Sequence, residues 1–221
     1  MSIAKRLPLA LVLLPLVATG CAHDNEITAI GGSIGQEVKR TSCPAVGVAD
    51  YTGTITVFDP ATSRDAKAID VVATLTDLKG QCDDSNADSP TLATNATFRV
   101  VARRRDAQGA RDVVLPYYAV VMHGGDKVAS KSISRISIHF DDGKLLGQAQ
   151  GQASATVSRA DATLPENIRN RLIRKRNAED ADASIDPMTD PGVRAALNKA
   201  SFELLVGFQL TQEQLAYNAT K

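Results

Sequence analysis

The chain has 221 residues with 25 basic and 25 acidic side chains, so its formal net charge is zero. A balanced charge provides no global attraction to nucleic acid or to anionic lipid, and no nucleic-acid partner is expected. Tryptophan is absent and aromatic residues make up 4% of the chain. This composition argues against the exposed aromatic platforms that sugar-binding clefts and base-stacking proteins commonly use.

The first twenty residues have the pattern of a signal peptide. Lys5 and Arg6 precede an apolar stretch at residues 7–18, which contains two prolines. At about 1.5 Å per residue, this stretch is too short to cross a hydrocarbon core of about 30 Å. It has the length and flanks of a signal-peptide core, so residues 1–20 are excluded from the predicted fold.

The segment Ala18-Thr19-Gly20-Cys21 resembles the lipobox of bacterial lipoproteins. The resemblance implies that Cys21 is acylated, becomes the first residue of the mature chain and anchors it in a membrane. Because Ala22 follows Cys21 where inner-membrane lipoproteins commonly carry an aspartate, the resemblance implies the periplasmic face of the outer membrane. The alternative is an ordinary secretory signal cleaved near Gly20, which leaves Cys21 as a spare thiol.

Acylation of Cys21 would also account for the odd number of cysteines, since the chain has three. Cys43 and Cys82 then remain as a pair, and export places them in an oxidising compartment where a disulfide persists. A zinc site is the competing explanation. Two cysteines with no nearby histidine do not supply a tetrahedral ligand set, so the sequence favours the disulfide.

Residues 22–42 are polar and contain glycine, which predicts a flexible tether between the lipid and a folded domain. From residue 43 to 158 the apolar residues alternate with polar ones, as in strands that are buried on one face. Seven strands are predicted, at residues 45–49, 53–58, 68–76, 98–103, 113–122, 134–140 and 148–157. Turn residues separate them. This pattern favours a mainly β, antiparallel sandwich of the immunoglobulin-like or fibronectin-III-like type, with a closed barrel as the alternative.

Residues 159–221 are predicted to be helical segments that pack on the sandwich. One helix is expected to begin near Pro165, because proline is favoured in the first turn of a helix. A second is expected to begin after Asp190, with a buried stripe of Val193, Leu197, Ala200, Leu204 and Phe208 at helical spacing. Thr211 and Gln214 form a capping-box pattern that predicts a short final helix.

No catalytic, cofactor-binding or metal-binding constellation stands out in the sequence. Residues 31–35 match the G-x-S-x-G motif of serine hydrolases, but no apolar strand precedes them, which favours a linker. Asp180, Asp182, Ser184 and Asp186 are spaced two apart, as in calcium loops, but the glycine and glutamate of an EF-hand are missing, which favours a solvated acidic connector. The histidines are scattered, so neither a cofactor nor a metal is expected.

A basic helix supplies the candidate residues for surface binding. Its cations could contact anionic groups of a membrane or cell wall, and the alternative is a solvated face neutralised by the acidic segment that follows. The candidates are Arg169, Arg171, Arg174, Lys175 and Arg176. The triplet Arg103, Arg104 and Arg105 would extend this surface if the fold brought the two segments together.

Residues 200–218 resemble the C-terminal signature of a group of small uncharacterised envelope lipoproteins, and residues 66–72 and 98–106 are similar to the same group. The resemblance implies an envelope location and brings no activity with it. The predicted function is a non-enzymatic, membrane-tethered module that binds or assembles with an envelope protein partner. An envelope hydrolase, whose site is assembled only in the fold, and a plain structural surface protein are the alternatives.

Overall fold

The computed structural model describes residues 41–174, 179–181 and 184–220. Within these ranges the chain forms strands β1 (Ala45–Val48), β2 (Thr54–Phe58), β3 (Ile69–Cys82), β4 (Thr91–Arg104), β5 (Arg111–His123), β6 (Lys127–Phe140), β7 (Leu146–Ser158) and β8 (Phe202–Phe208). The α-helices are α1 (Arg159–Ala162), α2 (Glu166–Ile173), α3 (Pro191–Lys199) and α4 (Gln212–Ala219). All seven predicted strands are present, and the structure is mainly β with helices in the C-terminal part.

The strands form two four-stranded sheets, in the orders β2-β3-β4-β7 and β1-β8-β5-β6. Neighbours pair antiparallel except β1 and β8, which are parallel. No hydrogen-bonded ladder joins the two sheets within the described ranges, so the alternative of a closed barrel is not formed. The main core lies between the sheets, where Val71 and Val100 of one sheet share an apolar cluster with Leu115 and Ile138 of the other.

The clearest alternation of buried and exposed residues is in β4. Every second residue of this strand is buried, from Leu92 to Arg104, and the residues between them are exposed. A strand with one face on the core and the other in water requires this period of two. The predicted one-sided burial of β4 is therefore confirmed, and the strand extends further toward its N-terminal end than the sequence indicated.

The prediction of one long helix after Asp190 is wrong beyond residue 199. Helix α3 ends at Lys199, and Leu204 and Phe208 lie on strand β8. This strand occupies a central position between β1 and β5 and is therefore apolar at nearly every position. Such a run fits helical spacing as well as strand spacing, so periodicity alone cannot distinguish the two structures. The segment at residues 159–221 thus contributes a core strand as well as helices.

The remaining helical predictions agree with the structure. Helix α2 begins directly after Pro165, and its buried residue is Leu172. The capping box of α4 is formed, with the Thr211 hydroxyl and the Gln214 side chain each bonding the other residue's backbone. A small apolar cluster of Leu172, Val193 and Leu197 joins α2 to α3.

The predicted disulfide between Cys43 and Cys82 is present, with the two Cα atoms 6.1 Å apart. Cys43 precedes β1, and Cys82 is the last residue of β3. Because β1 and β3 belong to different sheets, the disulfide links the two sheets covalently at one end of the core.

Candidate binding cleft

Strands β6 and β7 follow each other in the chain but lie at the edges of different sheets. They contact near the turn that joins them, since a Cβ atom added to Gly147 would lie 2.7 Å from the main-chain oxygen of His139. Away from this turn, residues 127–135 of β6 are exposed on both faces, whereas alternate residues from 136 to 140 are buried. The two strands therefore diverge and open the space between the sheets to solvent.

A cleft of about 390 Å³ lies between the exposed half of β6 and the facing part of β7. This volume is within the range of small-molecule pockets, about 300–1,000 Å³. The inner wall consists of Tyr117 and three small residues, Ala96, Ala119 and Ala153. Ser132 and Ser134 line the β6 side of the cleft. The remaining lining residues are Asn95, Thr97, Gln152 and Ser154, which alternate with the core-facing residues of β4 and β7.

Tyr117 joins the two sheets at the inner wall of the cleft. Its phenol donates a hydrogen bond to the main-chain oxygen of Gln152 at 2.8 Å, and its ring contacts Phe98 edge to face with 5.2 Å between centroids. The Tyr117 side chain is 8% exposed. Its hydroxyl and both ring faces are therefore largely engaged in the fold, and the ring does not present a platform for stacking a sugar or a base.

The cleft opens because of the residues that β6 presents to the core side. Ser132 pairs with Ala119 of β5, and Ser134 pairs with Tyr117, so both serines share the face that farther along carries Ile136 and Ile138. Serine contributes little apolar area to burial between two sheets. The core-facing residue of β7 that lines the cleft is Ala153, which is too small to fill the gap. The sheets are thus closed where β6 is apolar and open where it carries serine.

Sequence reasoning missed this cleft, although a signal was present. The alternation at the start of β6 continues before residue 134, but its core-side positions are serines instead of apolar residues. A strand that keeps its period while losing its apolar face indicates a part of a sheet without a packing partner. The predicted strand was limited to residues 134–140 because only those residues carry the apolar alternation.

The exposed half of β6 also carries unpaired positive charge. Lys131 and Arg135 are exposed, and neither forms an ion pair within the part of the chain that the structure describes. The Lys131 ammonium lies 4.8 Å from the centre of the Tyr118 ring. Ile133, between the two cations on the same face of the strand, is 62% exposed. No carboxylate lines the adjoining cleft in the described ranges.

The opposite side of the molecule is closed by helix α4. β2 is the edge strand of its sheet there, and its main-chain oxygens at Thr54 and Thr56 accept hydrogen bonds from Asn218 and Gln214 of the helix. Side chains from another element thus occupy edge acceptors that would otherwise face solvent. Covering a sheet edge in this way prevents it from pairing with a foreign strand.

Arg104 holds the closed end of the β6–β7 pair. Its side chain is 1% exposed, and its guanidinium donates to the main-chain oxygens of Lys144 and Asp141 in the β6–β7 turn. It also donates to Ala107 and Gly109 in the turn between β4 and β5. Arg104 is therefore a structural residue that joins two turns, and it is not part of an exposed basic surface with its neighbours in sequence.

The candidate surface-binding arginines of α2 have acidic partners in the structure. Arg171 bonds Asp190 at 2.7 Å, while Arg169 and Arg174 lie 3.9 Å from Glu166 and Asp180. The hydrogen bond from Arg171 and those from the backbone after Asp190 lower the pKa of that carboxyl.

Lys175 and Arg176 lie outside the described residues. Arg174 pairs with the acidic segment that follows the helix, while the partners of Arg169 and Arg171 lie outside that segment.

The two histidines in the described ranges have separate structural contacts. His139 lies 2.9 Å from Asp112 and 3.4 Å from Asp141, and its hydrogen bond to Asp112 is the largest cause of its raised pKa. His123 stacks on Phe202 with parallel rings 4.3 Å apart. No group of three or more metal-ligating side chains is found in residues 41–174, 179–181 and 184–220.

Residues 1–40 lie outside the described residues. They include the predicted lipidation site Cys21, the G-x-S-x-G motif and the predicted tether except for its last two residues. Among the helices that the structure describes, none is both long enough and apolar enough to span a membrane. Comparisons with protein-family models, with curated proteins and with solved structures found no match to this chain.

Proposed function

We propose that the chain is a lipoprotein of the bacterial envelope whose folded domain binds a partner through the cleft between β6 and β7. The signal-like segment at residues 1–20 and the lipobox ending at Cys21 support the anchored location. The Cys43–Cys82 disulfide supports it further, because it uses two of the three cysteines and leaves Cys21 unpaired for acylation. Ala22 supports the periplasmic face of the outer membrane.

The observation that carries the binding role is the open cleft itself. Residues 127–135 of β6 are exposed on both faces in a strand whose other half is buried, so a potential packing surface has been left without a partner. The opposite edge, at β2, is covered by α4. The difference between the two edges favours a site for association at β6.

The proposed role is non-enzymatic. Ser132 and Ser134 are the candidate nucleophiles in the cleft. No histidine, cysteine or carboxylate lines the same cleft in the described chain. A serine nucleophile requires an adjacent base to activate it. The alternative of an envelope hydrolase therefore gains no support from this cleft.

The fold that accompanies this proposal is an immunoglobulin-like or fibronectin-III-like sandwich. Two four-stranded sheets with two apolar clusters between them support the sandwich arrangement. Loops and edges of such folds commonly bind protein partners.

Site-specific photocrosslinking in intact cells tests the binding role. A photoreactive residue at Ser132, inside the cleft, is expected to give an adduct of one discrete mass. The same residue at Ser137 serves as the control, because this serine lies on the same strand but outside the cleft and is exposed. Failure to form an adduct at Ser132 in a correctly localised protein would contradict the proposal.

Mass spectrometry of the mature N-terminus tests the anchor separately. An acylated Cys21 is expected at the first position. An unmodified cysteine there, or a chain that retains residues 1–20, would overturn the lipoprotein assignment.

A further inference from the structure

We propose that the occupant of the cleft is an extended, acidic peptide segment of another protein, which adds as a β-strand to the free edge of β6. The inference rests on the proposed binding function and specifies its partner. The exposed half of β6 pairs with β5 on one side only. An edge strand presents unpaired N–H and C=O groups on its other side, and these are the groups that strand addition uses.

The free edge is long enough for such pairing. At a rise of about 3.3 Å per residue, residues 127–135 form an edge of about 30 Å. A typical strand of five or six residues is shorter than this edge. Pairing with β5 continues through this half of β6, with one irregularity beside Val121 and Met122. The edge is therefore held in an extended form before a partner arrives, which lowers the entropic cost of binding.

The cleft provides space for one face of an added strand. Alternate side chains of a strand point to opposite faces, so every second side chain of the partner would enter the gap between the sheets. The walls there are small, with Ala96, Ala119 and Ala153 at the bottom and Ser132 and Ser134 at the side. These residues leave room for side chains, and they offer no deep apolar pocket that would select a single large one.

The outward face of the edge determines the charge of the partner. Lys131 and Arg135 flank Ile133 on this face, and none of these three side chains is buried. Opposite charges on neighbouring strands stabilise pairing, and like charges destabilise it. The segment that fits carries carboxylates on both sides of an apolar residue at alternate positions.

Two competing occupants are disfavoured, a second copy of this chain by the cations and a glycan by the lack of an exposed aromatic ring in the cleft. A second copy of this chain, paired edge to edge through β6, would bring lysine and arginine side chains of the two copies together. A glycan would require an exposed aromatic face, whereas the aromatic side chain that lines the cleft, Tyr117, is 8% exposed and engaged in the core.

Peptide binding to the full mature chain tests the inference. The probe is a fluorescent peptide of about ten residues in which threonine alternates with glutamate and valine. Its control carries lysine in place of glutamate. We expect the acidic peptide to bind at least about tenfold more tightly than the basic one. The double variant Lys131→Glu/Arg135→Glu is expected to reverse this preference. Lys67→Glu, at an exposed position between β2 and β3 and outside the cleft, is expected to leave it unchanged.

Hydrogen exchange distinguishes strand addition from binding through side chains alone. With the acidic peptide bound, amides of residues 127–135 that face away from β5 are expected to gain protection. The same peptide methylated on alternate backbone nitrogens is expected to lose binding, since it lacks the N–H donors.

Several results would overturn the inference. They are equal binding of the acidic and basic peptides, binding without protection of residues 127–135, the absence of binding by either peptide, and a dimer of the free chain with those amides protected. Photocrosslinking at Ser132 gives a separate answer. An adduct there in cells, together with any of these results, would retain the binding function and exclude an acidic strand as its partner.

Discussion

The phenol of Tyr117 on β5 donates a hydrogen bond to the main-chain oxygen of Gln152 on β7, across the gap between two sheets that share no ladder in the described chain. An edge oxygen of β7 is thereby occupied at the inner wall of the cleft. Without this bond the oxygen would lose its partner at a partly buried position. The same tyrosine thus limits how far the cleft extends between the sheets.

Replacing Tyr117 with phenylalanine removes this bond and keeps the ring contact with Phe98. We expect the free energy of unfolding to fall by about 1–2 kcal/mol, because a partly buried acceptor is left unsatisfied. Urea denaturation measures the change. Tyr51→Phe is the control, since the Tyr51 side chain is 61% exposed, and it is expected to change stability by less than about 0.5 kcal/mol. Equal effects of the two variants would contradict the role of the bond.

Arg104→Met is expected to destabilise the protein by about 3 kcal/mol or more. The variant removes charged donors from four main-chain oxygens and leaves these oxygens in two turns without their partner. It also removes a cation that lies 5.4 Å from the centre of the Phe140 ring. Arg103→Met, at the exposed neighbouring position, is the matched control and is expected to stay within about 0.5 kcal/mol. Thermal or urea unfolding of both variants decides the prediction, and a tolerated Arg104→Met would refute it.

Gly151→Ala is expected to destabilise by about 1–3 kcal/mol, because its new Cβ would overlap the Phe98 ring and force the ring to move. A double-mutant cycle with Phe98→Leu measures whether this clash is the cause. The alanine substitution is expected to cost less when Phe98→Leu is also present, since the smaller side chain removes the crowded ring atoms. Additive effects of the two substitutions would show that the clash does not determine the cost.

The pKa of His139 is expected to be higher than that of an ordinary histidine. Its hydrogen bond to Asp112 is the largest cause of its raised pKa, with a further contribution from Asp141. Because the pKa is higher in the folded chain, the stabilising contribution is complete below the unfolded pKa and is lost as the pH rises through the folded one. NMR titration of the ring protons measures the pKa. Asp112→Asn is expected to lower it, and an unchanged titration in that variant would contradict the assignment of the cause.

Removal of the disulfide, by Cys43→Ser with Cys82→Ser, is expected to cost about 3–4 kcal/mol in the chain-entropy model. The cysteines are 39 positions apart, so their link restricts a sizeable part of the unfolded chain. Equilibrium unfolding of the oxidised protein and of the double variant measures the difference. A loss well below about 1 kcal/mol would indicate that the unfolded chain is already restricted without the link.

The sequence predicted the strands because their apolar periods are local. In β4 and β7, each residue's face follows from alternation alone, and the structure agrees. The order of strands in the two sheets could not be predicted, because alternation identifies a buried face without identifying the strand that covers it. β8 was mistaken for helix for a related reason. A central strand covered on both sides loses its alternation, and the spacing from Val193 to Phe208 also fits a helix.

The serines of β6 are a sequence signal for the candidate cleft, but its existence also depends on the separation of two strands, which the sequence does not give. Ser132 and Ser134 become significant only when β6 is known to be an edge strand facing β7. The basic helix shows how far local charge patterns can be interpreted. Arg174 pairs with Asp180 of the acidic segment that follows the helix, whereas Arg171 pairs with Asp190, which lies outside that segment. The unfilled part of the core requires the three-dimensional arrangement of the strands.

The position of β8 determines when the second sheet can be completed during synthesis. This strand lies between β1 and β5 but is translated after all other strands of both sheets. A growing chain that has not reached Phe202 lacks the neighbour to which β1 pairs, and β5 has only β6 beside it. The sheet that contains β1, β5 and β6 therefore cannot be completed until residues 202–208 have been synthesised.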